Sequence, residues 1–229
     1  MMISRKSGKT ALAAAIILAT MVCDDVQGAE CFLVANNREQ AKICYKFTKN
    51  FSEGLDPKHK YFQTYRDNLN YAKTKSTLKV LSSDALGNDG YNPSCFILDE
   101  WHGATNYDTY NVMKSGQAAR KNPLAIIISS AGVLLDGYPL YESVKVGYDV
   151  LRGIKEDDNT FYAIFQMNEN DDWQDEKNWK KASPNYGITV YKDYMEERVR
   201  EAINDVSKEA DVKTKNLNIW CSSINGWIP

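Results

Sequence analysis

Histidine is nearly missing from this chain: 229 residues contain only His59 and His102. Neither sits in a cluster with metal-ligand spacing, which argues against a zinc site. Cysteine pairs are missing too. Cys23, Cys31, Cys44, Cys95 and Cys221 make an odd number, and no two form Cys-x-x-Cys. Several lie in apolar runs, so they read as buried free thiols of a reducing compartment, not as a disulfide framework. Excess positive charge is also lacking. The net charge is -2, so no global field draws the chain onto a polyanion, and any contact with nucleic acid must be local or shared between subunits. The first apolar run is too short to cross a bilayer, which takes ~20 residues. No internal repeat or low-complexity tract interrupts the sequence.

What is present is an ordinary globular composition, 43% hydrophobic and 25% charged, at a length suited to one large domain or a domain plus part of a second. Buried apolar runs alternate with helical stretches. Cys31–Ala35 is a short strand, followed by a helix to about Phe51 that Asn36 or Asn37 can cap. Alternating stretches at Asn70–Lys73 and Thr77–Leu81 predict a small antiparallel excursion, with turns at Asn88-Asp89-Gly90 and Asn92-Pro93. Cys95–Leu98 and Leu124–Ile128 are continuous apolar strands, separated by a helix from about Tyr107 to Arg120. A helix from about Leu140 to Arg152 leads to a strand at Phe161–Gln166. Continuous strands spaced by helices predict an α/β fold with a mostly parallel sheet covered on both faces. Beyond Gln166 the chain turns acidic, and a single charged helix is expected from Ile188 to about Ala210.

Residues 1–30 admit two readings. Arg5, Lys6 and Lys9 followed by the apolar Ala11–Cys23 can be a secretory leader with a cleavage site near Val26-Gln27-Gly28. Alternatively Met1–Ser4 ends a strand, Arg5–Thr10 is a phosphate loop and Thr10–Met21 is the buried helix after it. Lys6-Ser7-Gly8-Lys9-Thr10 matches the second half of the Walker A pattern G-x-x-x-x-G-K-[ST]. In that pattern Gly8 lets backbone amides turn toward phosphate, Lys9 reaches the β- and γ-phosphates, and the Thr10 hydroxyl binds Mg²⁺. The pattern's first glycine would fall at Ile3.

The second reading demands an acidic pair at the end of a buried strand, and Asp99-Glu100 supplies it, as a Walker B motif does. Asp99 would hold the Mg²⁺ shell, and Glu100 would orient and deprotonate an attacking water. Ser129-Ser130 ends the next buried strand, where a polar pair can sense the γ-phosphate. Hydroxyls that merely close a strand before the Ala131-Gly132 turn fit there as well. His102 reads as a packing residue.

Taken together these segments resemble the large terminase subunit of tailed phages. The loop Ser4–Thr10 looks like that family's variant, which carries Arg-Lys and often lacks the first glycine. Ala35–Ala41 is similar to its strand-to-helix segment, Cys95–His102 to its Asp-Glu strand, and Pro123–Gly132 to its coupling motif. Trp179–Gly187, with Ser183-Pro184-Asn185, is similar to the segment leading toward the nuclease.

The resemblance implies a P-loop NTPase with strand order 5-1-4-3-2, ATP and Mg²⁺ as cofactors, and a γ-phosphate contact from Arg5. It implies a ring of subunits on the portal protein of an empty capsid, driving double-stranded DNA inward with the small terminase subunit as partner. It also implies a place in the host cytoplasm and not in a membrane or outside the cell. A neighbouring subunit would contribute an arginine, for which Arg120 is the candidate and Arg152 the runner-up.

Three regions are expected: an ATPase core at 1–167 without its adenine-contacting N-terminal segment, a linker or lid at 168–216, and only the start of a truncated nuclease at 217–229. Another P-loop motor, such as a helicase, and a secreted non-enzymatic protein with a leader are the alternatives.

Overall fold

The computed structural model describes residues 1–24, 26–85, 87 and 90–222. The expected turn at Asn88-Asp89 and the stretch 223–229 lie outside them. Contact density divides the chain into two compact units. One comprises Thr10–Trp101 and Asn106–Ile128, and the other Met1–Lys9, His102–Thr105 and Ser129–Pro229. This division differs from the linear regions expected at 1–167, 168–216 and 217–229, because residues at the start of the chain pair with residues far along it.

The first unit is built on a six-stranded sheet. Its strands are β1 (Glu30–Ala35), β2 (Phe62–Thr64), β3 (Asn68–Tyr71), β4 (Ser76–Ser82), β5 (Pro93–Asp99) and β6 (Leu124–Ile128), in the order β2-β3-β4-β1-β5-β6. β4, β1, β5 and β6 run parallel, while β2, β3 and β4 form the antiparallel excursion. Every residue of β5 is buried, as a central parallel strand covered on both faces requires. Register aligns Ala35 with Asp99 and Asp99 with Ile128, so Asn36, Glu100 and Ser129 each follow the carboxyl end of a strand.

Helices follow from their local sequence. α1 (Lys9–Cys23) is apolar almost all round and buries Ala13, Ala14, Ile17, Leu18 and Met21. α2 (Arg38–Leu55) starts at Asn37, whose side chain accepts from Gln40 N, and buries Ala41, Cys44, Tyr45, Thr48 and Ser52 at helical spacing. The Asp56 carboxylate after it accepts from the amides of Phe62, Tyr61 and Lys60, which holds its pKa down and fixes the entry into β2. α3 (Asp108–Gly116) is shorter than the expected 107–120. At Gly116 the helix runs against the Tyr91 carbonyl, where a Cβ would lie at 2.3 Å, and the chain tightens into a 3₁₀ turn at Gln117–Ala119.

In the second unit Met2 forms parallel bridges with Ser129 on one side and Ile164 on the other. Within the first unit β6-β5-β1 gives the 4-3-2 part of the expected order 5-1-4-3-2, followed by the antiparallel excursion. The expected strand at Phe161–Gln166 shrinks to this bridge, and Phe161 is 87% exposed.

α4 (Pro139–Leu151) and α5 (Glu176–Ala182) precede a pair of helices where one was expected. α6 (Lys192–Asn204) ends at Asp205, whose extended backbone and side-chain bond to Ser207 N start α7 (Val206–Asn216). The pair is joined by Arg198, which bonds Glu201 at 2.5 Å and Asp211 at 3.2 Å. Beneath it Met167, Trp179, Ala182, Val190, Met195, Val199, Ala202, Val212 and Leu217 form a core of their own.

The cysteine expectation holds for Cys31, Cys44 and Cys95, which are buried and free, whereas Cys23 is exposed and Cys221 half-buried. No helix among the described residues is long and apolar enough to cross a membrane. Because Met195 is fully buried in the core of the second unit, Met195→Ala is expected to cost about 2–5 kcal/mol of stability, read by urea denaturation of the chain.

Candidate functional site

The loop Arg5–Lys9 connects the Met2 bridge to α1. Arg5, Lys6 and Gly8 are exposed, and Ser7 and Lys9 are buried. Two of its residues have left-handed backbones, Lys6 at φ 64° and Gly8 at φ 85°. The space beside Gly8 would admit a Cβ, since the nearest atom, Asn185 Nδ2, lies at 3.6 Å. Glycine is therefore required by backbone conformation, not by crowding. Buried hydroxyls brace the loop from below: Ser4 Oγ lies 2.8 Å from Ser7 Oγ and 2.6 Å from Ser183 Oγ. Asn185 Nδ2 donates to Ser7 O at 3.0 Å and Thr189 Oγ1 to Lys6 O at 2.8 Å.

Met1 and Ile3 are tied to Ser129 by backbone bonds, Ile3 N to Ser129 O at 3.0 Å and Ser129 N to Met1 O at 3.1 Å. The Ser129 hydroxyl donates to Ser130 O at 2.8 Å and accepts from His102 N at 2.9 Å. The His102 ring nitrogen Nδ1 is 3.2 Å from it. The His102 backbone is thus fastened to Ser129. Ser130 Oγ is fully buried with no hydrogen-bond partner among the described residues.

In the other unit, Asp99 is buried at the end of β5, and its Oδ1 accepts from Glu100 N at 2.8 Å. Glu100 stands at φ 54°, and Asn36 Nδ2 holds its carbonyl at 3.2 Å. A left-handed glutamate is a strained residue of the kind that clusters at functional sites. Cys44 links two residues expected on the metal side. Its Sγ lies 3.7 Å from Thr10 O. Burial pushes its thiol pKa well up, and the nearby Asp99 carboxylate adds to the shift. Thr10 and Asp99 offer a hydroxyl and a carboxylate, the hard oxygen donors that suit Mg²⁺.

The expected site residues therefore fall into two groups. Arg5, Lys6, Ser7, Gly8, Lys9, Ser129 and Ser130 lie in one unit, and Thr10, Asp99 and Glu100 in the other. Arg120 stands apart. Its guanidinium donates to Asn92 O at 3.0 and 2.6 Å, just before β5 begins. That is the opposite end of the strand from Asp99, about 20 Å away at the rise of a β-strand. Arg152 packs its guanidinium 5.3 Å from the Tyr148 ring. Sequence reading missed the loop contacts of Ser183, Asn185 and Thr189. Only the polar turn at Ser183-Pro184-Asn185 signalled them, and no local pattern says which carbonyl a side chain reaches.

A family model for the terminase large subunit ATPase domain matches residues 1–146, and one for the terminase large subunit endonuclease domain matches residues 154–229. The chain belongs to the terminase large subunit family. The large terminase subunit of Lactococcus phage SK1 is 28% identical over 190 residues, covering 81% of this chain and 35% of that protein. Protein YmfN of Escherichia coli strain K12 is 35% identical over 135 residues, covering 59% of the chain and 30% of YmfN. The crystal structure of the HK97 bacteriophage large terminase superposes with a TM-score of 0.83 at 26% identity, covering 96% of this chain and 46% of that one. The chain thus spans less than half the length of these relatives.

The endonuclease match corrects an expectation. Sequence reading left the nuclease absent but for its first residues at 217–229, whereas the terminase nuclease model matches from residue 154. A resemblance carried by short motifs does not mark where a second domain begins.

Ser129→Ala removes the acceptor of His102 N and the donor to Ser130 O, both in a buried setting. The loss is expected at about 1–3 kcal/mol in urea denaturation of the chain.

Proposed function

We propose that the chain is the ATP-hydrolysing part of a DNA-packaging motor. The observation that carries this reading is the left-handed loop Lys6–Gly8 at the start of a buried helix, in a chain whose ATPase-family match begins at residue 1. The N-terminus of α1 adds partial positive charge where phosphates would sit. In this reading Lys9 neutralises the β- and γ-phosphates, Gly8 and its neighbours Lys6 and Ser7 form the binding loop with their backbone amides, and Arg5 meets the γ-phosphate. Thr10 and Asp99 would hold Mg²⁺, which when bound supplies charge neutralisation on the phosphate oxygens. Glu100 orients water in line with the γ-phosphate and takes its proton. Ser129 and Ser130 register whether the γ-phosphate is present, and the buried Ser130 hydroxyl is suited to a partner that comes and goes.

Residues 1–167 form the ATPase core in this reading and 168–216 a linker or lid region, although the endonuclease match already begins at residue 154. The subunit works as a ring in the host cytoplasm, with double-stranded DNA, the portal protein and the small terminase subunit as partners. An arginine from a neighbouring subunit completes the site. Arg120 and Arg152 remain its candidates, though the bond from Arg120 to Asn92 O weighs against the former.

Lys9→Ala and Glu100→Gln are each expected to cut steady-state phosphate release from ATP by about 100-fold or more in the full chain. Undiminished turnover in both variants contradicts the assignment.

A further inference from the structure

Two side chains of one turn hold successive carbonyls of the phosphate loop, Thr189 on Lys6 O and Asn185 on Ser7 O. All four residues belong to the same compact unit. In a trans peptide the carbonyl points opposite to the N–H of the next residue, and no cis bond occurs among the described residues. Anchoring Lys6 O and Ser7 O therefore aims the amides of Ser7 and Gly8 away from the turn. Such consecutive amides are what an anion-binding loop presents. The anchoring has something to oppose, because the left-handed Lys6 costs roughly 1–2 kcal/mol relative to an ordinary backbone.

The turn is itself stiff. The amides of Ile188, Thr189 and Val190 all donate to Asn185 O, at 2.9, 3.0 and 3.3 Å, and Gly187 N donates to Val190 O at 2.9 Å. Ser183 at its start reaches the loop through Ser4. Val190 at its end is buried in the core under α6 and α7.

We infer that Asn185 and Thr189 are positioning residues for phosphate binding, and that nucleotide occupancy of the loop is felt in turn by the segment 183–190. This rests on the phosphate-loop reading above. The segment lies inside the region matched by the terminase nuclease model. The turn therefore links the loop of one matched region to the body of the other, and a coupling of this kind is reciprocal.

Binding of a fluorescent N-methylanthraniloyl ADP with Mg²⁺ to the full chain tests the inference, with the thermal midpoint measured in parallel. Thr189→Val removes the hydroxyl at nearly constant volume, Thr189→Ser keeps it, and Asn185→Ala removes the second anchor. Kd is expected to rise about 5- to 30-fold in Thr189→Val and in Asn185→Ala, the loss of a hydrogen bond's worth of orientation. Thr189→Ser should stay near the parent value. Lys9→Ala tests the reading beneath and should lose binding. If Lys9→Ala loses binding while Thr189→Val and Asn185→Ala keep the parent affinity, the positioning role is overturned, whatever happens to their thermal midpoints. Equal weakening in Thr189→Ser and Thr189→Val overturns it as well. Retained binding in Lys9→Ala overturns the phosphate-loop reading and the inference with it.

Discussion

Four backbone hydrogen bonds hold Met1–Ile3, the segment that leads into the loop Arg5–Lys9. Met2 N donates to Ala163 O and Phe165 N to Met2 O on one side, while Ile3 N donates to Ser129 O and Ser129 N to Met1 O on the other. So short a segment has little apolar area of its own, although Met2 and Ile3 are buried. Its position is therefore set by what it is bonded to. Ser129 directly follows β6, and Ala163 and Phe165 lead toward Met167 of the second unit's core. The loop inherits its place from residues remote from it in sequence.

Two of the left-handed non-glycine residues, Lys6 and Glu100, stand where chemistry is proposed, whereas His59, Lys75 and Asn218 do not. Lys6 and Glu100 are left-handed without being glycines, and each has its carbonyl held by a side chain, Thr189 Oγ1 for Lys6 and Asn36 Nδ2 for Glu100. A strained residue persists only where its surroundings over-determine it. In both cases the partner comes from a different element, so the backbone conformation is decided by tertiary structure.

That division explains what was legible in the sequence. Continuous apolar runs at Cys31–Ala35 and Cys95–Leu98 gave parallel strands directly, because burial on both faces leaves no other pattern. Leu124–Ile128 gave its strand too, although only Ile128 is buried there and Leu124 is exposed. Asn36-Asn37 announced α2, which Asn37 caps, and Asp99-Glu100 stood out because two acids close an apolar run. The helix expected over 188–210 concealed a break, because Asp205 is unremarkable in a charged stretch until its side chain caps Ser207. Phe161–Gln166 looked like a full strand because apolar content was counted without its exposure. The polar turn at Ser183-Pro184-Asn185 was the one hint of the anchors Asn185 and Thr189, and nothing in it named their partners, which are carbonyls nearly the whole chain away.

The boundary between the two family matches falls between residues 146 and 154, but the compact units are divided elsewhere. Residues 1–9 share a unit with 129–229, and their bonds to Ala163, Phe165, Ala182, Ser183, Asn185, Thr189 and Lys215 account for that grouping. A substitution in 163–215 that changes nucleotide handling thus need not act on any nuclease chemistry. It can act through carbonyls and hydroxyls that shape the phosphate loop. Conversely, loosening the loop removes partners from Ser183, Asn185 and Thr189 and should disturb the core above which they sit. Sequence boundaries between matched regions are for that reason poor guides to which residues work together here, whereas the hydrogen bonds of the first nine residues are good ones.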